Sequence, residues 1–116
     1  MIRVEFDKEE ASFISMSVEG HSGYAERGQD IVCSAASILA YTVGQTLVQM
    51  NKQGWLKEKP HIELNEGKGI IACAPKEEYF DECLMVFYVA EVGYMLLHNN
   101  YPQYVEIQTF GEPSEA

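Results

Sequence analysis

The chain has 116 residues, enough for one domain with its own hydrophobic core, and 47% of them are hydrophobic, which excludes a wholly disordered protein. Eighteen acidic against eight basic residues give a net charge of −10, whereas a nucleic-acid-binding protein is expected to present a basic face. The acidity can simply keep a small protein soluble. It also suits a basic protein partner, and salt would then slow the association of that partner with this chain.

Cysteine content and the N-terminal sequence both favour the cytoplasm. The three cysteines form no C-x-x-C pair, and residues 1–5 lack the charged start, apolar core and cleavage site of a secretion signal. No apolar run approaches the ~18 to 20 residues that cross a bilayer. We therefore expect free thiols, no cofactor and no membrane association.

The first two elements are predicted to be paired strands. Apolar and charged residues alternate over 2–6, the period of a half-buried strand, and again over 14–18. The polar segment 7–10 is predicted to be the turn between them. This hairpin delivers the chain at Gly20 to a polar loop, at a strand end where a rigid scaffold can hold it.

The segment 20–37, GHSGYAERGQDIVCSAAS, carries the candidate chemistry. Asp30 is a good N-cap for a helix that begins at Ile31, which places Cys33 in the first turn. Free backbone N–H groups and the positive end of the helix dipole there favour a thiolate. The intervening loop can fold back and bring the imidazole of His21 towards the sulfur, and a cysteine with a base in reach is the minimum for nucleophilic catalysis. Cysteine alone is more often a small buried hydrophobe, so the surrounding features carry this interpretation.

The same segment resembles the signature of the ribosomal-processing cysteine proteases (Prp), a family of small bacterial proteins. The similarity lies in Gly20-His21, the glycine-containing loop and GQDIVCSA at 28–35, with Ser22 where alanine is common in the family. In length and in the order of the predicted elements, the resemblance covers nearly the whole chain. The resemblance implies an endopeptidase that removes the N-terminal extension of large-subunit ribosomal protein number twenty-seven, cutting after two aromatic residues and before a small one. The implied partner is this basic substrate, and a homodimer is implied as well.

Carried over by position, the resemblance makes Cys33 the nucleophile and His21 the general base. It makes Asp30 an acidic residue that orients the base or caps the helix, and Ser37 a hydroxyl beside the site. The loop from Ser22 to Gln29 is polar and rich in glycine, so we expect it to be mobile in the free protein and to order over the substrate. The residues predicted to form this substrate loop are Gly20, Ser22, Gly23 and Gly28.

Two alternatives remain open on the residues alone. The loop and the helix N-terminus could form a non-catalytic module that binds an anionic group or associates with ribosomes, although the loop has neither a Walker pattern nor G-x-G-x-x-G. His21, Asp30 and Cys33 could also bind zinc, but they lack the paired spacing of zinc motifs, and we expect no metal.

The rest of the chain predicts two helices and three strands. A helix over 31–53 has Gly54 as its stop signal and an apolar face, which Ile38, Ala40 and Gly44 widen, so it is expected to be covered on two sides, within the domain or by another subunit. The face predicted to be buried comprises Val32, Ala35, Leu39, Val43, Leu47 and Met50. Strands over 61–65 and 70–74 flank a glycine-containing turn.

A second helix is predicted over 77–98, with an apolar stripe interrupted by Glu91, and a last strand around 105–108. Cys73 is predicted to be buried, His61 to lie at an edge, and His98 to interact with terminal carbonyl groups of the helix.

The predicted fold class is α+β, a two-layer sandwich of a five-stranded sheet and two long helices in the order β-β-α-β-β-α-β. Both helices are expected on one face of the sheet. Residues 1–110 are expected to form a single cysteine protease domain and residues 111–116 a flexible tail.

Overall fold

A computed structural model describes residues 1–10, 12–26 and 28–111; the predicted tail beyond Gly111 lies outside the described residues. Every predicted strand and helix is present, in the predicted order. The elements are β1 Ile2–Glu10, β2 Phe13–Glu19, α1 Ile31–Lys52, β3 His61–Asn65, β4 Lys68–Cys73, a 3₁₀ turn Glu77–Tyr79, α2 Phe80–Asn100 and β5 Val105–Phe110.

The five strands form one mixed sheet in the order β3-β4-β2-β1-β5. Neighbouring strands are antiparallel except for β1 and β5, which are parallel. Helix α1 packs on β4, α2 packs on β1, β2 and β5, and the two helices pack against each other. One core, made of the inward side chains of the strands and the inner faces of both helices, fills the space between the layers. The predicted two-layer α+β sandwich is confirmed.

The predicted polar turn at 7–10 is wrong, because β1 continues to Glu10. Inward and outward residues alternate beyond Phe6, and this places the side chain of Lys8 in the interior, where the residue is only 4% exposed. Its Nζ donates a hydrogen bond of 2.7 Å to Oε1 of Glu91, and the hydroxyl of Thr109 donates to the other carboxylate oxygen. The charge of Lys8, which interrupts the apolar alternation of the strand, is therefore paired with Glu91 in the interior.

Helix α1 buries a face that is shifted from the predicted one. Ala35 and Leu39 were expected on that face but are only half-buried, and Ala36 and Ala40 point into the core instead. On length and composition α1 is also apolar enough to cross a bilayer, although no unbroken apolar run was expected to do so. A helix that packs on a sheet often passes the same test, so this is weak evidence for a membrane span.

The cysteines and histidines outside the loop have structural surroundings. Cys73 is buried as predicted, and its interaction with Cys83 together with burial raises the pKa of its thiol, which makes it unreactive. His61 is exposed at the edge strand β3 as predicted. The ring of His98 contacts a carbonyl group, but that of Val105 at 2.6 Å in β5 rather than one at the end of its own helix.

Candidate active site

A cleft of about 720 Å³ lies where the loop between β2 and α1 meets the turn between β3 and β4. His21, Asp30, Cys33 and Ser37 all line it. The opposite wall is formed by residues 64–69, which belong to the β3–β4 hairpin. The fold therefore brings the predicted site residues to one cavity, even though the sequence placed them on a loop and a helix.

Asp30 is the N-cap of α1, as predicted. Its Oδ1 accepts hydrogen bonds of 3.0 Å from the backbone N–H groups of Val32 and Cys33. Its Oδ2 accepts from the hydroxyl of Ser22 and from the backbone N–H of Ala25 at 3.4 Å. Burial raises the pKa of this carboxyl group, but the hydrogen bonds from Ser22, Cys33 and Ala25 outweigh it, so the pKa falls from 3.8 to about 2.

The immediate neighbour of the Cys33 sulfur is Ser22. The backbone N–H of Ser22 donates to Sγ at 3.4 Å, and the thiol lies 3.6 Å from the Ser22 hydroxyl oxygen, to which it can donate. That hydroxyl also accepts from the backbone N–H of Tyr24 at 3.1 Å and donates to Asp30. Ser22 is only 4% exposed, so it joins the sulfur to the helix cap.

His21 lies in the cleft with its ring against the β3–β4 turn. A Cβ atom on Gly67 would lie 2.9 Å from Nε2 of His21, so a side chain at that position would displace the ring. The backbone N–H of Gly20 donates to the carbonyl of Gly67 at 2.9 Å and fixes this approach. Within the described part of the chain, no hydrogen bond joins the His21 ring to Cys33.

Aromatic contacts hold the first half of the loop between β2 and α1. The ring of Tyr24 packs edge to face against Tyr101 and Tyr104, which connect α2 to β5. Gly23 and Gly28 both have positive φ, at 73° and 87°, so these two sites suit glycine. The expected mobility of this loop and its ordering over a substrate remain predictions.

The remaining predicted site residue, Ser37, lies one turn after Cys33 and is exposed on the wall of the cleft. Among the described residues, no group of three His, Cys, Asp or Glu side chains is arranged to hold a metal ion. The zinc alternative would need the carboxylate of Asp30, which four hydrogen bonds already occupy.

Sequence reasoning did not anticipate the contacts of Gly67 or Tyr24. The role of Gly67 depends on the pairing of β2 with β4, and that of Tyr24 depends on where α2 ends, so neither follows from the sequence around it. Ser22 was predicted as part of the loop, but its contact with the sulfur was not. The sequence holds one indication of a special role for this residue, which is a serine where alanine is common in the family.

The model of the family described as cysteine protease Prp matches residues 1–106. The chain belongs to the Prp family of cysteine proteases. No curated protein sequence matches the chain significantly.

Solved structures share the Prp fold with this chain. The ribosomal processing protease Prp from S. aureus, in complex with a covalently linked product peptide, has a TM-score of 0.69 and 21% identity, with 94% of this chain and 99% of that chain covered. The same S. aureus protease in complex with a substrate peptide gives 0.64 and 20%, with the same coverage. SMU.848 from Streptococcus mutans gives 0.69 and 22%, with 97% of this chain and 96% of that chain covered.

Proposed function

We propose that this Prp family member is an endopeptidase that removes the N-terminal extension of large-subunit ribosomal protein number twenty-seven, with Cys33 as nucleophile and His21 as general base. The observation that carries the proposal is that both side chains line one cleft, with Cys33 in the first turn of α1. The S. aureus relative is a ribosomal processing protease with structures of its peptide complexes, which supports the same class of substrate. The net charge of −10 suits a basic ribosomal protein.

In this mechanism His21 takes the proton of the Cys33 thiol, and the sulfur attacks the scissile carbonyl carbon. The tetrahedral intermediate collapses when His21 gives its proton to the leaving amine, and a thioester remains on Cys33. His21 then activates the water that hydrolyses the thioester. Because no hydrogen bond joins the His21 ring to the Cys33 sulfur among the described residues, the two groups must come within hydrogen-bond reach before the proton is transferred.

The hydrogen-bond pattern limits which groups can hold the oxyanion. The backbone N–H groups of Val32 and Cys33 donate to the Asp30 carboxylate, and that of Ser34 donates to the Asp30 carbonyl at 3.1 Å. The N–H of Ser22 lies beside the sulfur at 3.4 Å and is therefore the donor best placed to turn from Sγ to the oxyanion.

The same pattern counts against the alternative of an anion-binding module. A helix N-terminus binds an anion through its free N–H groups, and in α1 the Asp30 carboxylate accepts from two of them and carries the negative charge itself. A binding module would nevertheless keep its affinity after substitution of the cysteine, so the two functions separate in one experiment.

The test uses a synthetic peptide that spans the proposed ribosomal-protein extension, with cleavage followed by mass spectrometry. We expect Cys33→Ser and His21→Ala each to lower kcat/KM more than about 1000-fold. His61→Ala, which removes an exposed histidine at the sheet edge, is the matched control and should cleave as the wild type does. Cleavage by Cys33→Ser at the wild-type rate would refute the assignment.

We further propose that the protein works in the cytoplasm as a homodimer that binds no nucleic acid directly. The support for a dimer is a set of exposed apolar side chains on the two helices: Ile38, Tyr41, Met85, Tyr88, Val89, Val92, Met95 and Leu96. An apolar surface of this kind marks an interaction site in a soluble protein.

A further inference from the structure

We propose that Tyr24 is a positioning residue for the proposed reaction: its ring, held between Tyr101 and Tyr104, fixes the loop that presents the backbone amide of Ser22 to the Cys33 sulfur. This inference rests on Cys33 being the nucleophile. It adds a role for the connection between α2 and β5, which contributes nothing to the lining of the cleft.

The ring of Tyr24 sits in a defined aromatic cluster. Its centroid lies 5.4 Å from that of Tyr101 and 5.3 Å from that of Tyr104, with interplanar angles of 80° and 82°. Both are edge-to-face contacts, the arrangement that aromatic quadrupoles favour. Tyr24 itself is 41% exposed, and its described ring contacts are those with Tyr101 and Tyr104.

The two partner rings form a fixed platform. Tyr101 and Tyr104 are half-buried and pack against the hydrophobic core. A hydrogen bond of 3.0 Å from the backbone N–H of Tyr104 to the carbonyl of Tyr101 closes the turn between them. The carbonyl of Tyr104 accepts from the backbone N–H of Ile2 at 2.8 Å, which joins this turn to the sheet. We therefore expect Tyr101 and Tyr104 to keep their positions if the loop moves.

Backbone hydrogen bonds link the position of the Tyr24 ring to that of the Cys33 sulfur. The N–H of Tyr24 donates to the Ser22 hydroxyl oxygen, and the N–H of Ala25 donates to the Asp30 carboxylate. Ser22 in turn places its own N–H 3.4 Å from Sγ of Cys33. An anchored Tyr24 thus holds in place Ser22, which contacts the sulfur, and Ala25, which contacts the helix cap.

Without the ring, the described part of the loop keeps its backbone hydrogen bonds and the buried Ser22 as attachments. The free loop then samples conformations in which the wall of the cleft formed by Gly23 and Ala25 is absent. Substrate must restore the ordered loop when it binds, so its apparent affinity falls by the fraction of molecules that are competent. The ring matters in this role and its hydroxyl does not, because edge-to-face packing uses the ring alone.

The test compares Tyr24→Ala with the matched variant Tyr24→Phe in the full chain. We expect Tyr24→Ala to lower kcat/KM about tenfold, mostly through KM, and Tyr24→Phe to stay within about twofold of the wild type. Hydrogen exchange of the amides of residues 22–25 should become faster in Tyr24→Ala and stay as in the wild type in Tyr24→Phe. The thermal unfolding midpoint should be nearly the same in all three proteins.

Wild-type KM and wild-type amide protection in Tyr24→Ala would overturn the proposal, as would equal losses in Tyr24→Ala and Tyr24→Phe. A double substitution, Tyr24→Ala with Tyr104→Ala, should add little to the KM effect of Tyr24→Ala, and full additivity would also contradict the anchor. The exchange measurement needs no turnover. Cleavage by Cys33→Ser at the wild-type rate would therefore refute the nucleophile, while the exchange data would still report on the anchor.

Discussion

The contact between His21 and Gly67 joins the proposed base to a turn of another hairpin. Gly67 has a φ of 77°, so its place in the turn already favours glycine, and the missing side chain makes room for the imidazole. One residue thus serves both the β3–β4 turn and the wall of the cleft.

Gly67→Ala should lower activity beyond its effect on stability. The positive φ costs about 1 kcal/mol in free energy of unfolding, and the new methyl group displaces the His21 ring. Gly54→Ala is the matched control, because Gly54 has a φ of 80° at the end of α1 and only the Nζ of Lys76 within 4 Å of an added Cβ. We expect similar losses of stability from urea denaturation in both variants, and a severalfold loss of kcat/KM in Gly67→Ala alone. Equal kcat/KM in the two variants would show that the ring position is unimportant.

The ionised carboxylate of Asp30 should stabilise the fold in a defined pH range. Its pKa in the folded chain is about 2, below the ordinary value of 3.8, so the unfolded chain binds the proton more readily. The stabilisation is present in full above about pH 4 and is lost as the pH falls towards 2. Asp30→Ala should therefore lower the free energy of unfolding by about 1 kcal/mol or more near neutral pH through loss of the N-cap.

Urea denaturation at several pH values measures the effect of Asp30→Ala. The difference between wild type and variant should shrink between pH 4 and pH 2, where the wild-type carboxylate takes up its proton. A difference that stays constant over this interval would contradict a depressed pKa for Asp30.

At this scale the sequence predicted what depends on neighbours along the chain. Asp30 was expected to cap a helix that starts at Ile31, and Cys33 to lie in its first turn, because capping involves residues two or three positions apart. The contact between His21 and Gly67 and the packing of Tyr24 on Tyr101 join residues that are distant in sequence. No local pattern encodes such contacts.

Strand β1 and helix α2 each contain one residue that contradicts its pattern. Lys8 occupies an inward position of the strand, and Glu91 interrupts the apolar stripe of the helix. The two side chains form a buried ion pair 83 residues apart, and the hydroxyl of Thr109 in β5 completes it. The sequence predicted the end of β1 too early, because the pattern around Lys8 does not show that Glu91 pairs with it and permits its burial.

Breaking this pair on one side should be far more damaging than replacing both partners. Lys8→Met leaves the carboxylate of Glu91 buried without its cation, and we expect a loss of about 3 to 5 kcal/mol in free energy of unfolding. The double variant Lys8→Met with Glu91→Leu removes both charges and should recover a large part of that loss.

Urea denaturation of the two single variants and the double variant completes the cycle for this pair. Because the pair lies away from the residues that line the cleft, kcat/KM of the folded double variant should match the wild type. A double variant that is less stable than Lys8→Met would show that the charges themselves support the fold.

For the whole molecule, periodicity was sufficient to predict the seven main elements and the two-layer arrangement. It did not predict the strand order or the parallel pairing of β1 with β5, because apolar alternation shows which face of a strand is buried and not which strand lies beside it. The 3₁₀ turn before α2 was likewise merged with the helix.

The outer face of the helix layer leads to a prediction about the assembly. Val89 on α2 is 63% exposed and lies among other exposed apolar side chains. If this face joins two copies, Val89→Lys places a charge in the interface and should convert the dimer to a monomer in sedimentation velocity. Gln108→Lys adds the same charge at an exposed position of β5 and should leave the dimer intact. A wild-type protein that sediments as a monomer, or a Val89→Lys dimer, would contradict the prediction.

The parallel pairing of β1 with β5 has a consequence for the order in which the protein matures. Arg3 and Glu106, which are 103 residues apart, form a 3.0 Å bridge along this pair of strands. Contacts between such distant segments form late in folding, because a long loop must first close. In a nascent chain the cysteine, the histidine and the other residues that line the cleft are synthesised before Tyr101, Tyr104 and β5. We therefore expect the enzyme to gain its peptidase activity only once β5 has been synthesised and has paired with β1.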